Sequence, residues 1–373
     1  MIHEEHIYLL GLTIIKGIGN ISARRLVDYC GSAKAVFTEK KHILEQVPGI
    51  REYIATNIKT SESSALKRAE QELSFIEKNK ISVYFITDEH YPTRLRECQD
   101  APVVFYFKGN ADLNASRILS IVGTRKATEY GRNLTDILIK DLTNEFPDIL
   151  IVSGLAYGID ICAHRCALKY KIPTIGVLAH GLDRIYPSIH RNSAVEMLHN
   201  GGLLTDFMSE TNPDRENFLR RNRLIAGLSD ATIVVESAER GGALVTADIA
   251  FSYGRDVYTF PGRVSDKYSK GCNNLILKNK AGLITSANDL ITALCWDSAK
   301  KKPKQMDISF DEKPNHPVLS LLAEKDEFHI NELAILMNLP VYQLSSMLFE
   351  LELAGHIKTL PGGIYKLNFF GNF

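Results

Sequence analysis

The chain has 373 residues, of which 45% are hydrophobic and 24% are charged, so its composition is that of a folded globular protein and excludes a disordered or fibrous one. Its 44 basic and 44 acidic residues cancel, which excludes a generally basic DNA-binding domain, and a nucleic-acid site would have to concentrate its positive charge locally. The six cysteines form no Cys-x-x-Cys pair, and no uncharged apolar run approaches the roughly 18 residues of a membrane helix. We therefore expect free thiols, a cytoplasmic protein, and neither a bound metal nor a membrane partner.

The chain begins with a region, residues 1–80, that is predicted to form a helical domain. Within it, IIKGIGNISARRL (14–26) is typical of a helix-hairpin-helix, and LEQVPGIREY (44–53) has the pattern of a degenerate second copy. The Gly-Ile-Gly turn of such a hairpin can present backbone N–H groups to a phosphate. Such pairs bind the DNA backbone in some proteins and form only a compact helical fold in others, and both interpretations stay open.

Residues 81–297 alternate apolar strand-like runs with amphipathic helical stretches. Strands are predicted at 118–123, 149–153, 174–179, 231–236, 256–260 and 282–285, with edge strands at 81–86 and 103–107. Helices are predicted between most of them, at 128–145, 159–171 and 244–253. Alternation of this kind predicts an α/β fold with a Rossmann-like, doubly wound, mostly parallel sheet and right-handed crossovers.

Two further regions complete the predicted organisation. Residues 298–315 are polar, charged and proline-bearing, which predicts a linker. Residues 316–373 carry two helical stretches and a Pro-Gly-Gly hairpin, the pattern of a winged-helix domain. The only charged residues of its second helix are Glu350 and Glu352, which would repel phosphates, so the pattern favours a protein-contacting or structural wing over a DNA reader.

The turns that follow the strands are the candidate site, because ligands bind such sheets at the carboxyl ends of the strands. In VGTRKATEYG (122–131), Gly123 allows a tight turn and Arg125 stands at the strand end, where an arginine suits a phosphate. Glycines recur in the turns SGLAYGID (153–160) and RGGALVTADIA (240–250), each before a helix. Glycine turns can equally serve helix–strand packing, so no single motif decides between phosphate binding and packing.

A compact basic run, RENFLRRNR (215–223), holds four arginines and one glutamate, a local net charge of +3, around Phe218. Basic side chains beside an aromatic ring are what a single strand of nucleic acid needs, namely phosphate neutralisation and a stacking face. A solvated helix face would more often mix the signs of its charges, so we favour the nucleic-acid interpretation.

Several chemistries lack their motifs. The sequence has no Gly-Lys dipeptide and hence no Walker A loop, and it has no Gly-x-Ser-x-Gly elbow or Gly-x-Gly-x-x-Gly fingerprint. Cys162 and Cys166 lie four residues apart on a helix with His164 on its opposite side, which favours buried packing over metal binding. His180 and His190 are interpreted as structural residues or weak ligand contacts.

Taken in order, these motifs resemble the DprA (DNA-processing protein A, also Smf) family. The resemblance covers roughly residues 85–290 and rests on VGTRKATEYG, SGLAYGIDICAHRCAL, TIGVLAHGLDRIYP, GGLLTDF, FLRRNRLIAGLSDATIVVE, GGALVTADIAFSYGRDVYTFPG and GCNNLI. It implies a single-stranded DNA-binding protein of natural transformation, without catalysis or cofactor. Such a protein protects incoming DNA and helps to load a RecA-type recombinase, and it forms a homodimer through the Rossmann-like core.

The resemblance also implies a basic pocket at the strand ends, with the family's Gly-Ser-Arg turn at residues 123–125 and its Phe-Pro-x-Arg-Asn-Arg run at residues 218–223. Departures are Thr124 and Gly241 for serines, Leu219 for proline, and LTDF at 204–207 for Leu-Ser-Glu-Tyr. The predicted DNA-binding residues are Gly123, Thr124, Arg125, Ser153, Gly154, Arg215, Asn217, Phe218, Arg221, Asn222, Arg223 and Gly242.

Each predicted residue has an expected role. We expect the side chains of Arg125, Arg221 and Arg223 to neutralise phosphates and Phe218 to stack on a base. The three predicted glycines would offer backbone donors, the side chains at 215 and 217 would contact the strand, and Asn222 would contact DNA or order the loop. Binding of this kind carries little base information, so it should tolerate many sequences.

Two alternatives remain. A related Rossmann-like group binds nucleotides and hydrolyses nucleoside monophosphates with Pro-Gly-Gly-x-Gly-Thr-x-x-Glu, but here Ile249 occupies the place of that glutamate. A transcription regulator that reads duplex DNA with the winged helix is opposed by the acidic second helix.

Overall fold

The computed structural model describes residues 4–296, 316–325 and 327–367. The chain divides into two compact units, Met1–Lys300 and Lys301–Phe373. The predicted linker at 298–315 lies outside the described residues. None of the described helices is both long and apolar enough to cross a membrane.

The elements of the first unit alternate along the chain, apart from an all-helical start. Its helices are α1 (Glu4–Ile14), α2 (Asn20–Cys30), α3 (Ala33–Thr38), α4 (Lys41–Leu44), α5 (Glu52–Lys78), α6 (Thr93–Arg96), α7 (Glu129–Glu145), α8 (Ile159–Lys169), α9 (Arg191–Met197), α10 (Arg215–Leu228), α11 (Gly242–Ser252), α12 (Lys270–Leu277) and α13 (Ala287–Ala293). Its strands are β1 (Ser82–Phe85), β2 (Val104–Gly109), β3 (Ile118–Val122), β4 (Leu150–Ser153), β5 (Thr174–Val177), β6 (Gly201–Thr205), β7 (Ala231–Val234), β8 (Asp256–Thr259) and β9 (Gly282–Leu283).

These strands form one nine-stranded sheet in the order β1-β2-β6-β5-β4-β3-β7-β8-β9. The seven strands from β6 to β9 in that order run parallel, while β2 is antiparallel to both β1 and β6. The chain winds outward from β3 to β6 and then returns to the other side of β3 with β7, so the order reverses between β3 and β7. The predicted doubly wound, mostly parallel sheet is confirmed. The expectation that β2 is an edge strand is wrong, because β2 pairs on both sides.

Strand β6 was not predicted, and its sequence explains why. It begins with two glycines, which are typical of turns. Gly201 has φ +138°, and a Cβ there would lie 1.9 Å from the carbonyl oxygen of Thr174 on β5. A Cβ on Gly202 would lie 2.4 Å from the ring of Phe107 on β2. The glycines therefore allow β2 and β5 to approach on either side.

The helices α1 to α5 pack directly on one end of the sheet. Their buried side chains, such as Leu10, Leu26 and Ile58, share one apolar cluster with Phe85 of β1 and Tyr106 of β2. The predicted boundary near residue 80 therefore does not coincide with a gap in the packing. Both predicted hairpin turns are present, with their left-handed conformations at positions 17 (φ +95°) and 49 (φ +86°) taken by glycine.

The second unit has the winged-helix order. Its helices are α14 (Pro317–Glu324), α15 (Ile330–Met337) and α16 (Val341–Leu353), and its strands are β10 (Phe328–His329), β11 (Ile357–Leu360) and β12 (Ile364–Leu367), paired in the order β10-β12-β11. The second predicted helix, α16, exposes Tyr342, Phe349 and Leu353. A protein-contacting or structural wing stays a prediction.

His164 of α8 is fully buried on the sheet. Its Nδ1 lies 2.7 Å from Thr174 Oγ1, and its Nε2 is buried without a hydrogen-bond partner. Burial, together with the positive charge of Arg221 and the neighbouring His190, lowers the pKa of His164 to about 3. The folded state therefore holds this ring neutral.

We expect this burial to make the first unit sensitive to acid. The pKa of His164 in the folded state lies below its unfolded value of about 6.5. The free energy of unfolding is therefore highest, as far as this group is concerned, above pH 6.5, and it decreases by about 1.4 kcal/mol per pH unit as the pH falls towards 3. Urea unfolding at several pH values should give His164→Gln a smaller loss of unfolding free energy between pH 6.5 and 4.5 than wild type, with the exposed His199→Gln as matched control. Equal slopes for wild type and His164→Gln would contradict the expectation.

Candidate nucleic-acid interface

A cavity of about 770 Å³ lies at the carboxyl ends of β3 and β7, the point where the strand order reverses. This is the position at which open α/β sheets bind ligands. Its wall comes from the loop after β3, the start of α8, the first turns of α10, and the loop from β7 into α11. The lining residues are Val122, Gly123, Thr124, Arg125, Ala156, Asp160, Pro213, Arg215, Phe218, Leu219, Arg221, Asn222, Ile225, Ser237, Ala238, Arg240, Gly241, Gly242, Ala243, Val245 and Thr246.

The loop after β3 is fixed by the chain around it. A Cβ on Gly123 would lie 2.4 Å from the Ile159 side chain, so this glycine serves close helix–strand packing. The Thr124 N–H donates to the carbonyl of Glu236 after β7, at 2.8 Å. The buried Glu236 carboxylate accepts from the Thr128 N–H at 2.9 Å and from the Thr128 hydroxyl. These bonds hold both ends of the short segment that presents Arg125.

Arg125 and Phe218 meet in the cavity. The Arg125 guanidinium carbon lies 5.4 Å from the centre of the Phe218 ring, and the Arg125 side chain is exposed. The ring of Tyr186 lies 5.9 Å from that of Phe218 on a tilted plane. The cation and the aromatic ring that line the cavity can hold a phosphate and a stacked base together. The exposed Arg215 lies one turn earlier on α10.

Arg221 also lines the cavity, but its side chain is only 4% exposed. Its Nη1 donates to the Gly154 carbonyl at 2.6 Å and to the Val177 carbonyl, so the guanidinium ties α10 to the ends of β4 and β5. Burial lowers its pKa to about 10, and attraction to Asp160 opposes the shift, so the group stays charged at neutral pH. Arg221 thus has an anchoring role in the fold, and the phosphate neutralisation expected of it stays a prediction.

Asp160 is the counter-charge that the sequence reasoning missed. It is buried at the start of α8, and burial raises its pKa while Arg221 and the backbone N–H groups of Ala156 and Gly123 oppose the shift. A Cβ on Gly154 would lie 2.4 Å from Arg221 Nη1 and 2.6 Å from Asp160 Oδ2. Gly154 therefore makes room for these two charges and does not line the cavity.

Three other predicted residues do not reach the cavity. Arg223, 8% exposed, pairs with Asp206 and donates to the Asp100 carbonyl, and its expected contact with a phosphate stays a prediction. Ser153 is buried and donates its hydroxyl to the Ile121 carbonyl at 2.6 Å. Asn217 donates its side-chain amide to the Asn212 carbonyl, on the opposite flank of α10.

The remaining wall is the start of α11. A Cβ on Gly242 would meet nothing within 4 Å, and the preceding residue gives the helix no side-chain cap, so no cap side chain occupies the N–H groups of its first turn. Asn222 donates its amide to the Gly242 carbonyl at 3.4 Å, and its expected role, in DNA contact or in ordering the loop, stays a prediction. Arg240 and Thr246, which were not predicted, also line the cavity.

The residues that line the cavity carry a net positive charge. Four arginines, at positions 125, 215, 221 and 240, face one aspartate, at 160, a net charge of +3. Among the described residues no group of three or more His, Cys, Asp or Glu side chains could hold a metal ion. The wall thus offers cations, backbone donors and an aromatic face, which suit a polyanion with stacking rings.

Comparison with known proteins decides the family. The sequence model for DNA recombination-mediator protein A matches residues 82–295, and that for the DprA winged helix domain matches residues 302–363. The chain belongs to the DprA/Smf family. The resemblance found in the sequence is confirmed, as is the C-terminal winged helix.

DprA relatives match most of the chain. It is 34% identical to Protein Smf of Escherichia coli over 313 residues, 81% of each chain. It is 38% identical to DNA processing protein DprA of Streptococcus pneumoniae over 215 residues, 58% of this chain and 75% of the relative.

Two solved DprA structures share the fold. That of Streptococcus pneumoniae DprA matches with a TM-score of 0.65 at 32% identity, over 78% of this chain and 98% of that one. That of Helicobacter pylori DNA processing protein A matches with a TM-score of 0.52 at 30% identity, over 58% of this chain and 96% of that one; it is described as giving insights into a unique single-stranded DNA binding mode.

Proposed function

We propose that this chain binds single-stranded DNA in the cavity at the carboxyl ends of β3 and β7. The observation that carries the proposal is the exposed Arg125 guanidinium 5.4 Å from the Phe218 ring in a wall of net charge +3. Arg125 and Arg215 contact phosphates, and the open N-terminus of α11 supplies backbone donors. Phe218 stacks on a base, and the buried Arg221 adds positive charge from beneath.

Single strands fit this wall better than a duplex. A stacking face needs an unpaired base, and the bases of a duplex are already stacked on each other. The structure of the Helicobacter pylori relative, whose description refers to a single-stranded DNA binding mode, supports the same assignment by similarity. Phosphate and stacking contacts carry little base information, so binding in this cavity tolerates many sequences.

The cellular role proposed here follows from family membership. The chain acts in natural transformation, protects incoming single strands, and helps to load a RecA-type recombinase for homologous recombination. It works in the cytoplasm as a homodimer through the Rossmann-like core, and it has no catalytic step. Light scattering that gives a monomer at micromolar concentration would contradict the homodimer.

The test is a salt titration of binding to a fluorescent single strand and to the matching duplex. We expect the single strand to bind more tightly at every salt concentration, with a log–log slope of about −0.7 per phosphate neutralised. Absence of binding to single strands, or a clear preference for the duplex, would overturn the proposal. Release of a base from a nucleotide would instead favour the hydrolase alternative.

A further inference from the structure

A second cavity, of about 440 Å³, lies on the other flank of α10, between the N-terminal helices and the sheet. Its wall includes the turn between α1 and α2, Arg68 of α5, residues 206–211 after β6, and Asn217 and Arg220 of α10. Phe218 and Arg221 line the first cavity, whereas their neighbours Asn217 and Arg220 line the second. A strand that crosses the start of α10 can therefore enter both.

The wall of this second cavity contains a buried acceptor with no donor. Asp206 follows β6 directly, and its side chain is 4% exposed. Arg223 donates to Asp206 Oδ2, while Oδ1 is shielded from solvent and has no hydrogen-bond partner. A buried carboxylate oxygen without a donor costs free energy, and a donor in the cavity would recover it once the Asp206 side chain turns to expose Oδ1.

The same wall offers a stacking platform. The guanidinium of the exposed Arg220 lies 5.1 Å from the centre of the Phe207 ring, next to Asp206 in the chain. Within the part of the chain that the structure describes, no carboxylate pairs with Arg220, so a ligand meets no competing ion pair there. Bases stack on arginine planes and aromatic rings in many single-strand sites.

We propose that the second cavity binds a guanine base of the strand held in the first cavity. The proposal rests on the proposed function and adds a base preference to it. A carboxylate oxygen can accept two hydrogen bonds, and guanine presents two adjacent donors, N1–H and the 2-amino group. Adenine and cytosine place a ring acceptor beside their amino group, and thymine flanks its N3–H with two carbonyl oxygens. Asp206 Oδ1 would repel those neighbouring acceptors.

The test compares two oligonucleotides that differ in one amino group. Full-length protein is titrated into labelled oligo-dT tracts in which isolated positions carry either guanine or hypoxanthine, which keeps N1–H but lacks the 2-amino group. We expect the guanine strand to bind about tenfold more tightly, because one hydrogen bond to a charged, buried acceptor is lost with hypoxanthine. The hypoxanthine and all-thymine strands still bind through the first cavity.

Two variants assign the preference to this cavity. Thr211→Trp fills the cavity without altering Asp206, and it should bring the guanine strand to the affinity of the hypoxanthine strand. Thr60→Trp on α5 adds the same side chain at an exposed position outside both cavities and should keep the tenfold difference. Asp206→Asn, which removes the charge but keeps the shape, should also abolish the difference if the protein folds.

The outcomes separate this proposal from the proposed function. Equal affinity of wild type for both strands would overturn the guanine site while leaving single-stranded binding intact. A tenfold difference that survives Thr211→Trp would also overturn it, because the guanine would then be read elsewhere. Failure of every strand to bind would overturn the proposed function itself.

Discussion

Arg125→Ala is expected to weaken binding of single-stranded DNA about thirtyfold while leaving the free energy of unfolding unchanged. The binding loss corresponds to one charge-assisted phosphate contact of about 2 kcal/mol. Stability should not change because the side chain is exposed and makes no side-chain hydrogen bond or ion pair within the described part of the chain. Fluorescence anisotropy measures the first quantity and urea unfolding the second.

Salt dependence and a neighbouring lysine sharpen this test. Loss of one phosphate contact should reduce the log–log salt slope by about 0.7. Lys126→Ala removes an equally exposed charge from the same loop, but position 126 does not line the cavity, so its effect should be within about threefold of wild type. Equal losses for the two variants would mean that the loop attracts DNA only by its general charge.

The sequence predicts the placement of those parts of the candidate site that depend on local pattern. Gly123 and Arg125 follow a buried apolar strand, so their position at the sheet edge follows from strand periodicity and the parallel topology. Phe218 is predicted to join them because an aromatic ring stands in a run of arginines. The contact between Arg125 and Phe218 itself could not be derived, since 93 residues separate them along the chain.

The parts that sequence reasoning missed depend on distant partners. The sequence RENFLRRNR does not show which of its arginines are buried, yet Arg220 is exposed while Arg221 and Arg223 are buried. Arg221 finds carbonyls at the ends of β4 and β5, and Arg223 finds Asp206 beyond β6. A charge run predicts a solvent-facing or DNA-facing surface only when no such partners fold against it. Helical periodicity alone cannot tell which arginines will meet them.

Strand β6 illustrates the same limit for the fold. The neighbouring strands are rich in Val, Ile and Leu, which favour strands, whereas the low strand propensity of glycine at positions 201 and 202 predicts a turn. Their requirement for glycine comes from the close approach of β5 and of Phe107 on β2. Both contacts are tertiary, so the strand becomes visible only once the sheet order is known.

Arg221→Met is expected to lower the free energy of unfolding by about 3 kcal/mol, in contrast to Arg125→Ala. The substitution leaves the buried carbonyls of Gly154 and Val177 without this donor and removes the positive charge that Asp160 faces. Arg220→Met is the matched control, because it makes the same change one residue earlier at an exposed position, and it should change the unfolding free energy by less than about 0.5 kcal/mol. Urea unfolding followed by circular dichroism compares the three proteins.

The size of this effect separates two roles for the buried arginine. If Arg221 served mainly as a phosphate ligand, Arg221→Met would weaken DNA binding and leave the unfolding free energy near that of wild type. If it mainly anchors α10 to the strand ends, Arg221→Met lowers the free energy of unfolding, and it weakens DNA binding only because the segment that carries Phe218 loses its support.

Arg221→Lys tests the same point with the charge retained. A lysine cannot reproduce the geometry with which the guanidinium binds two carbonyls, so we expect its free energy of unfolding to lie between those of wild type and Arg221→Met. Full stability in Arg221→Lys would mean that charge alone, and not the hydrogen bonds to β4 and β5, fixes the helix.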